Sequence, residues 1–394
     1  MCKKRAIFAQ NFKNCAMDIA PSFNEYIQKA IVENWEHDAL TDFQGATLQF
    51  HDVARKIEKI HILFENSHVQ KGDKIAICGR NSSHWAVAFL ATITYGAIAV
   101  PILHEFNAEQ IHNIVNHSES KLLFVGDFIV KAINPDAMPA LEGIINLPDF
   151  SVFVSRSEKL TYARENLNAL YGQKYPKYFR QEHVNYYKEQ SPDEMALINY
   201  TSGTTGFSKG VMIPYRALWS NYDFACDVMG NEVKAGDNII SILPMAHMYG
   251  MAFEFIYEFI HGCHVYYLNR TPSPAIIAQA FAEVKPRIII AVPLVIEKII
   301  RKKVFPKIQN NRMRLLLQMP IISAKVREMI CREVVKAFGG NFFEIIIGGA
   351  AFNQEVEQFL NRIKFPYTVG YGATECAPII CYAASLHQAP AGAQ

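Results

Sequence analysis

Tyr200-Thr201-Ser202-Gly203-Thr204-Thr205-Gly206-Phe207-Ser208-Lys209-Gly210 is the stretch on which the reading of this chain turns. Before it runs Met195-Ala196-Leu197-Ile198-Asn199, short and mostly apolar as a buried strand should be. After it Val211-Met212-Ile213 leads through Pro214 into a helical pattern. Glycines let backbone N–H groups approach phosphate oxygens, hydroxyls add adaptable donors, and Lys209 adds a compact positive charge. A flexible linker is the plain alternative for a Gly/Ser/Thr run. The apolar flanks and the closing lysine favour a polyphosphate-binding loop. It is not the Walker type, which needs four residues between its glycines and then Gly-Lys-Ser/Thr; here two residues separate Gly203 from Gly206, and Phe207-Ser208 precede the lysine.

The chain around the loop has 394 residues, half of them hydrophobic and 19% charged, enough for a large interior and two lobes. A net charge of +2 gives no support to a nucleic-acid partner. Eight cysteines, at 2, 15, 78, 226, 263, 331, 376 and 381, form no Cys-x-x-Cys pair, which points to reduced thiols in a cytoplasmic protein. The thirteen histidines show no metal-ligand spacing. Residues 85–103 carry no formal charge and are long enough to span a bilayer, but Tyr95-Gly96 breaks the run into helix-like and strand-like halves. A buried helix, turn and strand is the expectation there, with no transmembrane span and peripheral membrane contact left open.

In chain order, residues 22–37 read as a surface helix, 40–50 as a hairpin about Gln44-Gly45, and 51–67 as an amphipathic helix. Strand-like 74–78, 97–101 and 121–125 then alternate with helix-like 82–94 and 108–117. Residues 161–193, rich in Tyr, Lys, Gln and Asn, read as a surface connector, a packed irregular segment being the other option. Strands at 238–243, 263–268, 287–292 and 342–347 follow, with helices starting near Tyr215, Gly250, Pro274, Pro293 and Asn353. Such alternation predicts an α/β fold with doubly wound, mostly parallel sheets, divided into lobes at 1–190 and 191–394 that exchange strands. Ligands in such sheets sit beyond the carboxyl ends of strands, where every motif singled out here falls.

The loop resembles the phosphate loop of the adenylate-forming superfamily: acyl-CoA synthetases, peptide-synthetase adenylation domains and luciferases. That family usually has proline where Ser208 stands. Three later stretches match it in order: Pro244-Met245-Ala246-His247-Met248-Tyr249-Gly250, Gly348-Gly349-Ala350-Ala351 and Tyr371-Gly372-Ala373-Thr374-Glu375. The resemblance implies two sandwiched sheets, as in the large N-terminal domain of acyl-CoA synthetases. It also implies ATP, Mg2+ and coenzyme A. By it, Thr201, Ser202, Gly203, Thr204, Thr205, Gly206 and Lys209 hold phosphates, and Gly349, Ala350, Ala351, Tyr371 and Gly372 hold adenine. His247 borders the acyl and nucleotide pocket, Thr374 contacts the α-phosphate, and Glu375 binds magnesium with help from Thr201. Each motif alone has a bland reading: a satisfied turn histidine, a tight glycine turn, a solvated loop acid.

The implied reaction is attack of a carboxylate on the α-phosphate of ATP, giving acyl-AMP, followed by transfer to a thiol. Amino-acid-activating relatives carry an aspartate near the start of the helix after His247. Here Gly250-Met251-Ala252-Phe253 stands there, with Glu254 the first acid, so an uncharged acid is expected. Val292-Pro293-Leu294-Val295-Ile296-Glu297-Lys298-Ile299 resembles a run in long-chain fatty acyl-CoA synthetases, pointing to a fatty acid. The chain ends nineteen residues past Glu375. The family's later lysine has no counterpart here, so the expectation is an N-terminal part that binds ATP or acyl-AMP but turns over poorly. A nucleotide- or acyl-adenylate-binding module without turnover, and an aryl- or amino-acid-adenylating enzyme, are the alternatives.

Overall fold

The computed structural model describes residues 22–201, 209–269, 273–308 and 324–382. Helix α1 (Phe23–Glu33) opens on a reciprocal cap: the Ser22 hydroxyl accepts from the Glu25 N–H and the Glu25 carboxylate accepts from the Ser22 N–H. It ends at Asn34, short of residue 37, and is well packed, with Phe23, Tyr26, Ile27 and Ile31 buried. Strands β1 (Asp38–Asp42) and β2 (Thr47–Gln49) form the expected hairpin, and α2 (Phe50–Asn66) follows.

The alternating stretch folds as β3 (Lys74–Cys78), α3 (Ser83–Tyr95), β4 (Ile98–Ile102), α4 (Ala108–His117) and β5 (Ser120–Val125). The uncharged run is α3, a left-handed C-cap at Gly96, and β4. Because α3 is buried on all sides, it can be apolar all round. Among the described residues no helix is long and apolar enough to cross a membrane.

Strands β6 (Gly143–Asn146), β7 (Val152–Ser155), β8 (Met195–Thr201) and β9 (Lys209–Pro214) complete a seven-stranded sheet in the order β7-β6-β5-β3-β4-β8-β9. Its interior pairs are parallel and its two edge pairs antiparallel. The two-residue period of the strands divides the interior. Ile75, Ile77, Leu122 and Phe124 face the main core, while Ala76, Cys78, Leu123 and Val125 face a second cluster under α4.

A second layer holds β10 (Asn238–Ser241) and β11 (His264–Tyr267), ordered β10-β11-β1-β2. Alongside lie β12 (Ile288–Ala291), β13 (Glu344–Ile347), β14 (Tyr367–Gly372) and β15 (Ile379–Tyr382), in sequence order. The Arg287 N–H donates to the Asn238 carbonyl at 2.8 Å, stitching the two groups edge to edge. Strand pairing crosses residue 190: β4 pairs with β8, and β1 lies between β11 and β2.

The stretch expected as a surface connector holds structure of its own. Helices α5 (Glu158–Glu165) and α6 (Leu167–Lys174) pack on α2, burying Leu160, Ala163 and Leu167, and Phe179, Val184 and Tyr186 are also buried. The later helices are α7 (Tyr215–Met229), α8 (Met248–Met251, continuing through π-helical Ala252–Ile256 to Tyr257–Ile260), α9 (Pro274–Val284) and α10 (Pro293–Ile299). After them come α11 (Ala324–Ala337) and α12 (Gln354–Arg362).

Candidate functional site

Four motif segments meet at carboxyl ends of strands, as parallel sheets place ligands. Thr201 ends β8, the His247 turn follows β10, Gly348 follows β13, and Tyr371-Gly372 end β14. The His247 turn is braced from the other sheet. Asn81 Nδ2 donates to the Leu243 carbonyl at 2.6 Å and to Ser241 Oγ at 3.1 Å, while its Oδ1 accepts from the Met245 N–H at 2.9 Å. Asn199, buried in β8, donates to the Ala246 carbonyl at 2.8 Å. Neither asparagine was singled out from sequence; the available signal was a polar residue inside an apolar strand and one just past another.

Glu254 fastens the same turn from within α8. It accepts from the Leu243 N–H at 2.8 Å, the Ile242 N–H at 3.0 Å and the Ser241 hydroxyl at 3.2 Å. Burial drives its pKa well above the ordinary glutamate value, outweighing those three bonds. The first acid after His247 is therefore turned back onto β10 and does not line the cavity described next.

His247 caps α8, its Nδ1 accepting from the Tyr249 N–H at 3.2 Å. An acceptor Nδ1 leaves the proton on Nε2. Although solvent reaches the ring, its partial desolvation lowers the pKa, with Glu105 pulling weakly the other way, so the imidazole is neutral at neutral pH. It lines an apolar cavity of about 170 Å³ together with Tyr249, Gly348, Gly349, Tyr371, Gly372 and Thr374. Phe224, Val228 and Met229 of α7 close one wall. Among the described residues no aspartate, glutamate, lysine or arginine lines it.

Two glycines keep the cavity open. A Cβ on Gly348 would stand 3.1 Å from the Tyr249 ring, whose hydroxyl donates to the Ile346 carbonyl at 3.2 Å. A Cβ on Gly372 would fall 2.2 Å from the Pro378 carbonyl oxygen, a collision with backbone. The Asn221 Oδ1 accepts from the Ile379 N–H at 3.3 Å, tying the turn after Gly372 to α7. Tyr371 is 64% exposed and Thr374 9% exposed, the ring presented at the mouth and the hydroxyl held in the wall.

Thr201 and Lys209 are direct cross-strand partners in the β8–β9 ladder. The short turn Thr374–Cys376 packs beside β9, so exposed Glu375 and Lys209 sit on neighbouring elements though they lie far apart in sequence. Ala350 and Ala351 are exposed just past the cavity lining. Ser202, Gly203, Thr204, Thr205 and Gly206 lie outside the described residues. Glu297 accepts from the Asn353 N–H at 3.0 Å, so that acid anchors the start of α12.

No group of three or more His, Cys, Asp or Glu side chains able to hold a metal occurs among the described residues. Glu375 and the Thr201 hydroxyl are oxygen donors of the kind magnesium takes, with one or two from protein and the rest from phosphate and water. The six described cysteines form no disulfide with one another.

Comparison with known proteins gives a consistent picture. The family model described as AMP-binding enzyme matches residues 27–393. The chain is 24% identical over 327 residues to long chain acyl-CoA synthetase 3 of Arabidopsis thaliana, covering 78% of this chain and 48% of that protein. It is 24% identical over 360 residues to the rat (Rattus norvegicus) long-chain-fatty-acid–CoA ligase ACSBG2, covering 84% and 52%. It thus spans about half the length of the curated relatives it matches. Among solved structures, the N-terminal domain of FACL13 from Mycobacterium tuberculosis superposes with a TM-score of 0.64 at 18% identity, covering 90% of this chain and 77% of that one. The long-chain-fatty-acid–CoA ligase FadD1 of Archaeoglobus fulgidus gives 0.69 at 17%, covering 93% and 66%. The anthranilate CoA ligase AuaEII, in complex with anthranoyl-AMP, gives 0.69 at 14%, covering 92% and 60%.

Proposed function

The chain belongs to the AMP-binding enzyme family, and from that premise we propose that it forms the nucleotide- and acyl-binding part of an acid–thiol ligase acting on a fatty acid. The observation that carries this reading is the uncharged cavity, with neutral His247 and Thr374 in its walls and the Lys209 and Glu375 elements beside it. An acyl chain without a charged tail suits such walls, because an ammonium would find no carboxylate among the described lining residues. The curated relatives, named as long-chain acyl-CoA synthetases and ligases, support the same substrate class.

The chemistry joins two anions. A carboxylate oxygen of the acid attacks the α-phosphorus of ATP, the new P–O bond forms as the bond to pyrophosphate breaks, and acyl-AMP results. A thiol such as that of coenzyme A then attacks the acyl carbon and AMP leaves. His247 Nε2–H donates to the incoming carboxylate or a phosphate oxygen, and its neutral form does so without adding a buried charge. Thr374 donates to the α-phosphate, and Lys209 faces the negative charge of the phosphates from the strand beside it. Tyr371 offers a flat face for adenine, and the bare backbone at Gly348 and Gly349 lets the base lie close. Glu375 and Thr201 would hold magnesium, which supplies charge neutralisation of the phosphate oxygens when bound.

Pyrophosphate release by the longest natural form of the protein, against short, aromatic and long-chain acids, tests this. The expected result is the largest kcat/KM for long-chain acids and a loss of about a hundredfold or more in kcat for Glu375→Gln. Release with amino acids alone overturns the substrate class, and nucleotide binding with no release for any acid supports a binding module instead.

A further inference from the structure

A larger concavity of about 830 Å³ shares no lining residue with the one above. It is framed by α2, α5 and α6, the turn at Asp149 and Phe150, and the extended segment from Lys177 to Phe179. Five cations line it, Arg55, Lys56, Lys59, Arg164 and Lys177, against two acids. Both acids are already engaged. Asp52 lies 3.3 Å from Arg55 and accepts from the Gln49 N–H at 3.2 Å, and Asp149 accepts from the Ser151 N–H and hydroxyl at 2.9 and 2.7 Å.

The remaining cations feel these two acids only at longer range, Lys56 through Asp52 and Arg164 through Asp149, and outnumber them. Among the described residues Lys56, Lys59, Arg164 and Lys177 make no salt bridge, unlike Lys174 nearby, which pairs with Glu58 and Glu65 at 2.8 and 3.0 Å. Lys59 Nζ meets only the neutral Asn168 Oδ1 at 3.3 Å and the Tyr171 ring at 5.3 Å. Lys56 Nζ meets His84 Nε2 at 3.2 Å and lies 6.0 Å from the Phe150 ring centroid. Arg164 Nε is buried without a hydrogen-bond partner. Burial lowers the Lys56 pKa and repulsion from Lys59 adds to it, with the Asp52 carboxylate pulling more weakly the other way. Aromatic side chains alternate with the charges, Tyr178 among them at 72% exposure.

We propose that this groove binds an organic phosphate, its phosphate groups among Lys56, Lys59 and Lys177 and its flat or apolar portion against Phe150, Tyr171 and Tyr178. Unpaired cations grouped in a concave wall attract phosphate oxygens, and exposed rings favour a planar or apolar neighbour over water. The site is separate from the nucleotide cavity and does not depend on the ligase reading. The phosphate can belong to a soluble nucleotide or to a lipid headgroup.

The test uses two probes, ADP in solution and phosphatidylcholine vesicles containing phosphatidylinositol 4-phosphate. NMR of 13C-methylated lysines, assigned by Lys→Arg substitution, reads the site locally, so ADP in the other cavity does not interfere. The expected result is saturable movement of the Lys56, Lys59 and Lys177 signals with one probe. Binding should weaken at least tenfold in the Lys59→Gln, Lys177→Gln double variant and fall with added salt. A response to ADP assigns a soluble phosphate ester, and a response to vesicles alone assigns a headgroup. Lys177 is exposed, so Lys177→Gln alone serves if the double variant loses stability. No movement of these signals below about 1 mM of either probe, or affinity unchanged by the substitutions, overturns the proposal.

Discussion

At the scale of the residue, Glu254 carries the clearest consequence. Three donors converge on one of its oxygens while burial opposes ionisation, and burial dominates. A side chain held neutral should tolerate an amide. Glu254→Gln should change unfolding free energy by less than about 1 kcal/mol, whereas Glu254→Ala, which strands two backbone N–H groups, should cost roughly 2–4 kcal/mol in urea titrations. Equal, large losses in both variants would mean that the ionised form is the one the fold uses. The sequence showed Glu254 as the first acid after His247. Its inward turn was not legible there, because that depends on where the π-helical stretch of α8 aims the side chain.

At the scale of the element, the His247 turn is held by residues from the other sheet. Asn81 makes three of its hydrogen bonds, so Asn81→Ala should lower stability by about 2–3 kcal/mol and weaken ligand binding in the His247 cavity. Asn81→Asp, which keeps the acceptor for Met245 but loses the donor to Leu243, should fall between; calorimetric Tm and adenylate affinity measured together check both. Parallel strands β3, β4 and β5 and their helices were legible because each is a buried apolar run bounded by turn residues. Strands β6, β7, β14 and β15 escaped notice: four to six residues long, they are too short for a period to separate strand from loop, even where they hold apolar residues such as Val152-Phe153-Val154 and Ile379-Ile380. Helices α5 and α6 were hidden for a similar reason, burying Leu160, Ala163 and Leu167 beneath mostly polar surfaces.

At the scale of the whole molecule, buried ionisable groups set how stability follows pH. His61 is buried with its pKa lowered to about 4 by desolvation, so the unfolded chain takes up its proton first and stability falls as pH drops from 6.5 towards 4. Glu258 runs the other way. Burial raises its pKa to about 8, so the folded form holds the proton more tightly and stability falls as pH rises from 4.5 towards 8. The effects are of order 3 kcal/mol for His61 and about 5 kcal/mol for Glu258. The two offset one another between pH 4.5 and 6.5, where both windows overlap; above that Glu258 acts in the same direction as Glu254, whose raised pKa likewise weakens the fold as pH rises. Urea midpoints should therefore decline between pH 6.5 and 8, and Glu258→Gln should flatten that decline; an unchanged slope in the variant would remove Glu258 as its source.

The motif positions could be read from sequence, but their convergence is a property of the assembled chain. Thr201 and Lys209 close one ladder, while Tyr371 and Thr374 arrive on β14 and the turn after it, strung together by pairings such as β1 with β11 that join residues over two hundred positions apart. The shared cleft is tested most directly by titrating the chain with a non-hydrolysable acyl-adenylate, dodecanoyl sulfamoyl-adenosine, in a calorimeter. The account predicts one saturable site in the micromolar range, weakened at least tenfold by Gly372→Ala, whose methyl group meets the Pro378 carbonyl. No heat of binding by the folded chain at millimolar ligand, or equal affinity in the variant, would contradict it.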